Sequence, residues 1–426
     1  MNVHTKPAED VAAIVAELGQ RAKRAAASLR NATTEAKNKA LAEAARLIRA
    51  ESAAILAANA LDVAAAKKAG MNEAMQDRLL LNPARVEGMA KGLDDIVALP
   101  DPVGALVEEW QRPNGLSISR VRVPIGVIGV IYEARPNVTA DAGALCIKSG
   151  NVVVLRGGSD SFHSSRAIVE LLRKALKSAG LPEDCVALVP TTDRAAVGEL
   201  LKAMDWLDLI VPRGGRSLID RVTAESRVPV LRHYEGLCHV YVDRDADVAM
   251  ARDIVANAKM RRVSVCGAAE TLLIDRAALD THLKTITDRL FDLGCEVRGD
   301  AEIQKRDPRV TAATEKDWRT EYLAPIISVA TVDGVEGAMR HIGSYGSQHT
   351  DSIVTSNEAT AKRFLQEVDS AIVMHNASTQ FADGGEFGLG AEIGISTNRM
   401  HARGPVGLVE LTTYKNVVRG KGTVRP

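Results

Sequence analysis

The sequence predicts an α/β protein with two doubly wound parallel sheets and a small additional β-sheet. Three observations lead to this prediction. Apolar runs that fit buried strands alternate with helical segments from residue 125, a second alternation begins at residue 237, and strand-like stretches lie outside both. Continuous apolar strands joined by helices are typical of parallel sheets that are covered on both faces.

Length and composition limit the class of protein. The chain has 426 residues, 46% of them hydrophobic, which is enough for two or three domains. Basic and acidic residues number 54 each, and this balance argues against a nucleic-acid or membrane-surface protein. We find no secretory signal and no apolar run of about eighteen residues that would span a membrane. Five widely spaced cysteines favour a reducing cytoplasm over a disulfide framework or a metal site.

The first hundred residues predict helices. Apolar residues recur at helical spacing between residues 11 and 18, in an Ala-rich context. Gly70 predicts a helix end, because glycine readily adopts the left-handed conformation found there. Asn82-Pro83 predicts a helix start, because asparagine caps a helix and proline fits its first turn.

A β-hairpin is predicted next. Residues 104–110 and 116–123 are strand-like, and an Asn-Gly pair lies in the turn between them. The C-terminal stretch 406–426 is strand-like as well. We therefore expect residues 104–124 and 404–426 to form a small sheet through which copies of the chain associate. An edge hairpin on a monomer is the alternative.

The two alternations of strand and helix predict two domains joined by a glycine-rich loop. The boundaries are residues 1–103 with 125–236 for the first domain, 237–381 for the second and 382–403 for the interdomain loop. In the first domain the last predicted strand is "VPVLRHYEG" (228–236). The second domain is predicted to contain a long helix at 276–293.

Two pairs of glycines directly follow predicted strands of the first domain. Gly157 and Gly158 follow Arg156, and Gly214 and Gly215 lie between a strand and a helix. Ligands of doubly wound sheets bind at the carboxyl ends of strands, where glycines let backbone N–H groups approach a phosphate. An arginine in that place can hold the 2′-phosphate that distinguishes NADP from NAD. Neither stretch matches G-x-G-x-x-G, so plain turns are the alternative.

Two polar segments are further candidates. An apolar strand runs directly into Glu-Ala-Arg-Pro-Asn, where Asn137 can present its amide to an oxyanion or cap the following helix. Residues 341–353 place two histidines in a polar loop between a helix and a strand. A histidine there can meet an anion or move a proton, and a solvated turn is the alternative.

Cys266 is a candidate nucleophile. It lies in "NAKMRRVSVCGAAETLLID", shortly after Arg261 and Arg262. A nucleophilic cysteine needs a thiolate, which the arginines favour only if they face the sulfur. A cysteine is otherwise a small buried apolar residue, and composition does not separate Cys266 from the other four.

Four stretches together resemble the aldehyde dehydrogenase superfamily, along nearly the whole chain. They are "VIYEARPNVTADAGALCIKSGN", "VCGAAETLL", "HIGSYGSQHTDSI" and "GAEIGISTNRMHARGPVGLVELTTYK". The resemblance implies an aldehyde-dehydrogenase-like fold, with two doubly wound parallel-sheet domains and a small β oligomerisation sheet. The last two stretches are distinctive of a branch that reduces an acyl phosphate.

The resemblance implies roles for individual residues. Cys266 becomes the catalytic nucleophile, and Asn137 becomes the side-chain donor to the oxyanion, with the Cys266 backbone N–H as its partner. Arg156 stands where the superfamily binds the adenosine ribose and is expected at the 2′-phosphate of NADPH, beside the two glycine pairs. Glu321, in "EYLAPI", corresponds to the glutamate that holds the nicotinamide ribose. Glu235 corresponds to the general base of hydrolytic members, which a reductase of an acyl phosphate does not need.

The same resemblance implies a reaction. NADPH would reduce L-glutamyl 5-phosphate to L-glutamate 5-semialdehyde and phosphate through a cysteine thioester and thiohemiacetal, the second step of proline biosynthesis. Basic residues are expected to recognise the anionic groups of the substrate. The candidates are Arg135, Arg261, Arg262, His349 and Arg399. The implied partners are further copies of the chain and, in transient contact, glutamate 5-kinase; no metal is implied.

Three rival functions stay open at this point. A hydrolytic NAD(P)-dependent aldehyde dehydrogenase would use Glu235 to activate water. A cofactor-free cysteine acyltransferase or hydrolase would need a histidine beside Cys266, and no local Cys/His signature is present. A non-catalytic nucleotide-binding assembly protein would fit the strand-rich tails but would have no use for the cysteine segment.

Overall fold

The computed structural model describes residues 8–232 and 235–425, which form two compact units. Unit 1 contains residues 8–232, 388–394 and 406–425, and unit 2 contains residues 235–387 and 395–405. The predicted interdomain loop 382–403 is therefore divided, with its central glycine-rich part in unit 1 and both ends in unit 2. Among the described residues, no helix has the length and apolarity that crossing a membrane requires. The first seven residues of the stretch searched for a secretory signal lie outside the described part.

Unit 1 combines an N-terminal helical region with a parallel sheet and a small antiparallel sheet. Its helices are α1 (Ala8–Leu29), α2 (Thr34–Ala50), α3 (Ser52–Lys68), α4 (Glu73–Leu79), α5 (Pro83–Ala98), α6 (Asn137–Lys148), α7 (Phe162–Ser178), α8 (Ala195–Lys202) and α9 (Arg216–Glu225). Its strands are β1 (Leu106–Gln111), β2 (Ser117–Pro124), β3 (Val127–Tyr132), β4 (Val152–Gly157), β5 (Val186–Leu188), β6 (Leu209–Arg213) and, near the C-terminus, β16 (Thr412–Arg419).

The predicted helix boundaries of unit 1 are confirmed where they rest on capping. The side chain of Asn82 accepts a hydrogen bond from the Arg85 N–H at 2.8 Å, and Pro83 is the first residue of α5. Gly70 follows the end of α3 with φ +74°, a conformation that a residue with a Cβ rarely adopts.

The parallel sheet of unit 1 has the strand order β5-β4-β3-β6. Strands β3 and β4 are buried along their whole length, as their continuous apolar sequences predict. The chain continues from β3 to β4 on one side and returns to β6 on the other, so the strand order reverses between β3 and β6. Ligands of open α/β sheets bind at such a reversal.

The predicted strand at 228–236 is wrong. Only Val230 pairs with β6, through hydrogen bonds from Ile210 N–H to Pro229 O and from Leu231 N–H to Ile210 O, both 2.8 Å. The next bond of this parallel ladder would need an N–H at position 212 of β6, which is a proline. Two residues of the predicted strand, 233 and 234, lie outside the described part.

The small sheet of unit 1 has the order β1-β2-β16 and is antiparallel, which confirms the predicted hairpin and its C-terminal partner. Gly115, at the turn, has φ +85°. Residues 404–405, which were predicted to join this sheet, instead form a short strand that pairs within unit 2.

Unit 2 is an α/β unit around one parallel sheet. Its helices are α10 (Val248–Met260), α11 (Lys284–Asp292), α12 (Ala301–Arg306), α13 (Gly334–Tyr345) and α14 (Glu358–Glu367). Its strands are β7 (Cys238–Val242), β8 (Ala269–Asp275), β9 (Glu296–Gly299), β10 (Thr311–Ala312), β11 (Ile326–Val332), β12 (Thr350–Val354), β13 (Ile372–His375), β14 (Ile395–Ser396) and β15 (Gly404–Pro405).

The main sheet of unit 2 is parallel, with the order β10-β9-β11-β8-β7-β12-β13. Apolar residues on one face pack against α10 and α11, and those on the other face pack against α13 and α14. This two-sided cover is the predicted doubly wound arrangement. The sequence did not predict β9, in which only Val297 and Gly299 are buried. The predicted helix 276–293 is an α-helix only over the residues of α11.

Candidate active site

Cys266 lies in the turn between α10 and β8. A backbone hydrogen bond from Ala268 N–H to Val265 O, 3.0 Å long, closes this turn. All five cysteines lie in the described part of the chain, and Cys266 is the one that is not buried. Its side chain packs beside a small apolar cluster formed by Ile372, Met374, Ala382 and Ile395. Cys266 is therefore packed against the protein on one side and half-buried, an exposure compatible with a nucleophile.

Two neighbouring residues hold the backbone of Cys266. The Cys238 thiol lies 3.1 Å from the Cys266 carbonyl oxygen and donates a hydrogen bond to it. Gly236 approaches the same carbonyl so closely that a Cβ at position 236 would lie 1.9 Å from its oxygen. A third close approach lies beyond the cysteine, since a Cβ on Gly267 would lie 2.9 Å from Thr379 O.

Glu321 is connected to the same segment. Its Oε1 accepts a hydrogen bond from the Gly236 N–H at 2.9 Å. Two residues later, Leu323 has φ +52°, and its N–H points to Glu270 Oε1 at 3.4 Å. Glu270 forms an ion pair of 2.5 Å with Lys259, and both side chains are buried. Burial raises the pKa of the Glu270 carboxyl, and the neighbouring Lys259 ammonium opposes this effect.

These residues lie at the amino ends of strands. Cys266 precedes β8, Glu321 precedes β11, and Gly236 precedes β7. The rule that ligands bind at carboxyl ends therefore does not locate this candidate site, although it does locate the glycine pairs of unit 1.

The predicted polar loop with two histidines is wrong. His341 belongs to α13 and is half-buried, and burial, with His239 nearby, lowers its pKa to about 3. His349 is fully buried, with its Nδ1 2.8 Å from Thr350 Oγ1 and 3.5 Å from Cys238 Sγ. The alternative of a solvated turn is excluded for both rings. The prediction that His349 binds substrate stays untested.

The other candidates of unit 2 lie at different places. Arg261 and Arg262 are exposed at the end of α10, and Gln380 donates to Arg262 O at 3.2 Å. Arg399 is exposed and forms an ion pair with Asp369. Glu235 is half-buried and adjoins Gly236. The structure thus places Glu235, Cys266 and Glu321 next to Gly236 in unit 2. Arg399 instead is paired with Asp369.

In unit 1, the two glycine pairs lie on either side of the end of β3. In the sheet register Tyr132 pairs with Gly157 on one side and with Arg213, which precedes Gly214, on the other. This is the predicted edge of the sheet, at the reversal of strand order. The carboxylate of Glu133 accepts the Gly215 N–H at 3.1 Å, so one backbone donor at the start of α9 already has an acidic partner.

The side chain of Arg156 is buried at this edge of the sheet. It is 6% exposed, and its guanidinium donates to Gly157 O, to Thr192 O at 3.0 Å and to Asp193 O at 3.2 Å. Burial lowers its pKa. Three buried polar atoms at the end of β4 have no hydrogen-bond partner among the described residues: Arg156 Nε, Asp160 Oδ1 and Ser161 Oγ. Buried polar groups are normally satisfied, so these atoms fit a polar ligand such as the ribose and phosphate of a dinucleotide.

Asn137 is exposed and is the first residue of α6. Its side-chain N–H donates to Asp141 Oδ2 at 3.0 Å, and burial raises the pKa of Asp141 to about 6. The alternative that Asn137 caps α6 is wrong, because Pro136 holds the cap position and no side-chain cap is made. Ala134, at φ +46°, turns the chain just before this helix, and Arg135 beside it is half-buried.

Comparison with known proteins decides the family. The sequence model of the aldehyde dehydrogenase family matches residues 1–304. The gamma-glutamyl phosphate reductase of Paramagnetospirillum magneticum is 60% identical over 417 residues, which cover 98% of this chain and 99% of the relative. That of Rhizorhabdus wittichii is 61% identical over 422 residues, covering 99% and 98%. The chain belongs to the gamma-glutamyl phosphate reductases of the aldehyde dehydrogenase family.

A solved structure agrees with this membership. The gamma-glutamyl phosphate reductase of Thermotoga maritima superposes with a TM-score of 0.95 at 47% identity, covering 97% of this chain and all of that one. The aldehyde dehydrogenase fold and the family resemblance predicted from the sequence are confirmed. As an aldehyde dehydrogenase family member the chain is an oxidoreductase, and the family implies a nicotinamide dinucleotide as cofactor.

Proposed function

We propose that this reductase converts L-glutamyl 5-phosphate to L-glutamate 5-semialdehyde and phosphate at the expense of NADPH, in the second step of proline biosynthesis. The observation that carries the proposal is the placement of Cys266, the one cysteine that is not buried, in a turn fixed by Cys238 and Gly236. Full-length relatives that carry the reductase name support it.

The proposed reaction begins at the sulfur of Cys266. The Cys266 thiolate attacks the acyl carbon, and phosphate leaves with the electron pair of the carbon–oxygen bond, so that a thioester forms. Asn137 and the Cys266 N–H stabilise the tetrahedral oxyanion. Bound NADPH supplies the hydride that reduces the thioester. The thiohemiacetal then releases the aldehyde as the carbon–sulfur bond breaks and Cys266 regains its thiolate.

The dinucleotide is proposed to bind at the edge of the unit 1 sheet. Arg156 would meet the 2′-phosphate, and Gly157, Gly158, Gly214 and Gly215 would let backbone N–H groups approach the other phosphates, the Gly215 N–H once it leaves the Glu133 carboxylate. The unsatisfied atoms Arg156 Nε, Asp160 Oδ1 and Ser161 Oγ support this placement. Glu321 is proposed to hold the nicotinamide ribose, and Arg135, Arg261, Arg262, His349 and Arg399 are the candidates for the substrate anions.

The reverse reaction tests the function without the labile acyl phosphate. We expect glutamate semialdehyde, in equilibrium with its cyclic imine, to reduce NADP only when inorganic phosphate is present. Phosphate would then be the group that resolves the Cys266 thioester. The measurement is NADPH absorbance with and without phosphate. Reduction at equal rates in its absence would mean that water resolves the thioester, and the chain would be a hydrolytic dehydrogenase with Glu235 as its base.

Replacing Arg156 with alanine should weaken NADPH binding more than NADH binding. Charge-assisted hydrogen bonds to a phosphate are worth enough to change the affinity roughly tenfold or more. Dissociation constants for both dinucleotides would be measured by titration calorimetry, with Arg166→Ala, an exposed arginine of α7, as the matched control. Equal weakening of both dinucleotides would instead assign Arg156 to bracing the Thr192 and Asp193 carbonyls.

The small sheet is proposed to join copies of the chain. The sheet β1-β2-β16 exposes Leu106 on one face and Tyr414 and Val418 on the other. No further strand of the described residues pairs with the outer edges of β1 and β16. Exposed edges and apolar side chains of this kind favour pairing with another chain.

Contact with glutamate 5-kinase is proposed only on chemical grounds, since an acyl phosphate is short-lived in water. Five free thiols favour a cytoplasmic location.

A further inference from the structure

We propose that Cys238, supported by His349, is a positioning residue that holds the Cys266 peptide in the orientation required for attack. The proposal rests on the proposed function, in which Cys266 is the nucleophile. It concerns residues that the sequence gives no reason to connect, since Cys238 opens β7 and His349 immediately precedes β12.

The contact between the two cysteines is specific. Cys238 is fully buried, and its Sγ lies 3.1 Å from the Cys266 carbonyl oxygen. A thiol carries a single hydrogen, and the Cys266 carbonyl oxygen at 3.1 Å lies nearer to the sulfur than His349 Nδ1 at 3.5 Å. Burial also raises the pKa of the Cys238 thiol well above its usual value, so the sulfur keeps the hydrogen that it donates.

His349 contacts the sulfur of Cys238. Its Nδ1 lies 3.5 Å from Cys238 Sγ and 2.8 Å from Thr350 Oγ1, and the ring is fully buried. With the hydrogen on Nδ1, the imidazole donates toward both atoms, while the thiol donates onward to the Cys266 carbonyl. In this tautomer Nδ1 cannot accept the thiol hydrogen, which is left to the Cys266 carbonyl oxygen.

The Cys266 carbonyl cannot easily move away from this contact. Gly236 packs on the same oxygen, where the added Cβ of any other residue would overlap it. The carbonyl is thus held by a hydrogen bond from Cys238 and by backbone packing from Gly236. Fixing this peptide plane fixes the start of the next residue, Gly267, and limits the directions that the Cys266 side chain can take. Such pre-organisation lowers the cost of reaching a productive attack geometry.

A set of Cys238 variants tests the role. Cys238→Ala removes the donor, and Cys238→Ser restores a hydroxyl donor in nearly the same volume. Cys238→Val fills the site without a donor and keeps a strand-forming residue. Cys295→Ala is the matched control, because this buried thiol of unit 2 packs in the apolar core and donates its hydrogen bond to its neighbour's backbone, Glu296 O at 3.5 Å.

We expect kcat to fall roughly tenfold in Cys238→Ala and Cys238→Val, in line with the loss of one hydrogen bond at the reacting residue. The KM for the semialdehyde and the Kd for NADPH should stay within about twofold, because neither binding event uses the thiol. Cys238→Ser should recover most of kcat, and Cys295→Ala should leave kcat unchanged. The rate of Cys266 alkylation by iodoacetamide should follow kcat across the set.

The results that would overturn the proposal are distinct. If Cys238→Ser loses as much activity as Cys238→Ala, the site requires sulfur volume and the donor role is wrong. If no Cys238 variant lowers kcat, the contact has no catalytic consequence. Should Cys238→Ala not fold, the comparison of the valine and serine variants decides in the same way. Failure of the proposed function itself would appear elsewhere, as reduction of NADP without phosphate or as full activity of a chain that lacks the Cys266 sulfur.

Discussion

Replacing Cys266 with serine should abolish reduction while leaving NADPH binding intact. A serine hydroxyl does not ionise near neutral pH, and the thioester that accepts hydride cannot form on oxygen at a useful rate. Removing the nucleophile of a covalent enzyme lowers kcat by roughly 10⁴- to 10⁶-fold. The dinucleotide is proposed to bind through groups of the unit 1 sheet edge and through Glu321, and the substitution removes none of these groups.

The experiment pairs turnover with binding. Semialdehyde-dependent NADPH formation and the Kd for NADPH would be measured for Cys266→Ser and for Cys295→Ser, a buried thiol of the same unit. The control should keep both properties. Alkylation of the wild type should modify Cys266 first, because the other four thiols are buried. Turnover within tenfold of wild type in Cys266→Ser would remove the covalent mechanism and leave only the dinucleotide site.

The fold was predictable where local patterns and burial agree. The buried strands β3 and β4 are continuous apolar runs, and the start of α5 is fixed by Asn82 and Pro83. The apolar pattern fails to predict a strand correctly where strand pairing depends on a residue that is distant in sequence. Val230 lies in an apolar run, yet its strand cannot extend because Pro212 on β6 offers no N–H. The short strand β9 pairs on one side only with the two-residue edge strand β10, carries charged residues and resembles a loop in sequence.

The site was predictable only in part. The candidates Cys266, Asn137 and Glu321 come from the family resemblance and stay predictions, whereas the residues that contact them in the structure were not predicted. Cys238 has the sequence context of a buried apolar residue, and its contact with the Cys266 carbonyl spans 28 positions. Glu270 likewise lies four positions after Cys266 in sequence but is buried in an ion pair with Lys259. Such contacts arise from the packing of strand ends, which no local pattern encodes.

Gly236→Ala should be the most damaging substitution outside the nucleophile itself. The added Cβ would lie 1.9 Å from Cys266 O and 2.6 Å from its carbonyl carbon, so backbone rather than a flexible side chain must move. The glycine segment cannot absorb this shift, because the Gly236 N–H is bound to Glu321 at 2.9 Å and the next N–H is bound to Ser347 Oγ at 2.9 Å. We therefore expect Cys266 to be displaced by about 1 Å, and a misplacement of that size costs roughly 10²-fold in rate.

The matched control is Gly343→Ala in α13, where no atom lies within 4 Å of the added Cβ. That variant should be as active as the wild type and slightly more stable, because alanine favours a helix over glycine by about 1 kcal/mol. In Gly236→Ala, kcat should fall while thermal unfolding shows a folded protein and NADPH still binds. If kcat stayed within threefold of the control, the Cys266 peptide would tolerate displacement, and close backbone packing would not be what fixes the nucleophile.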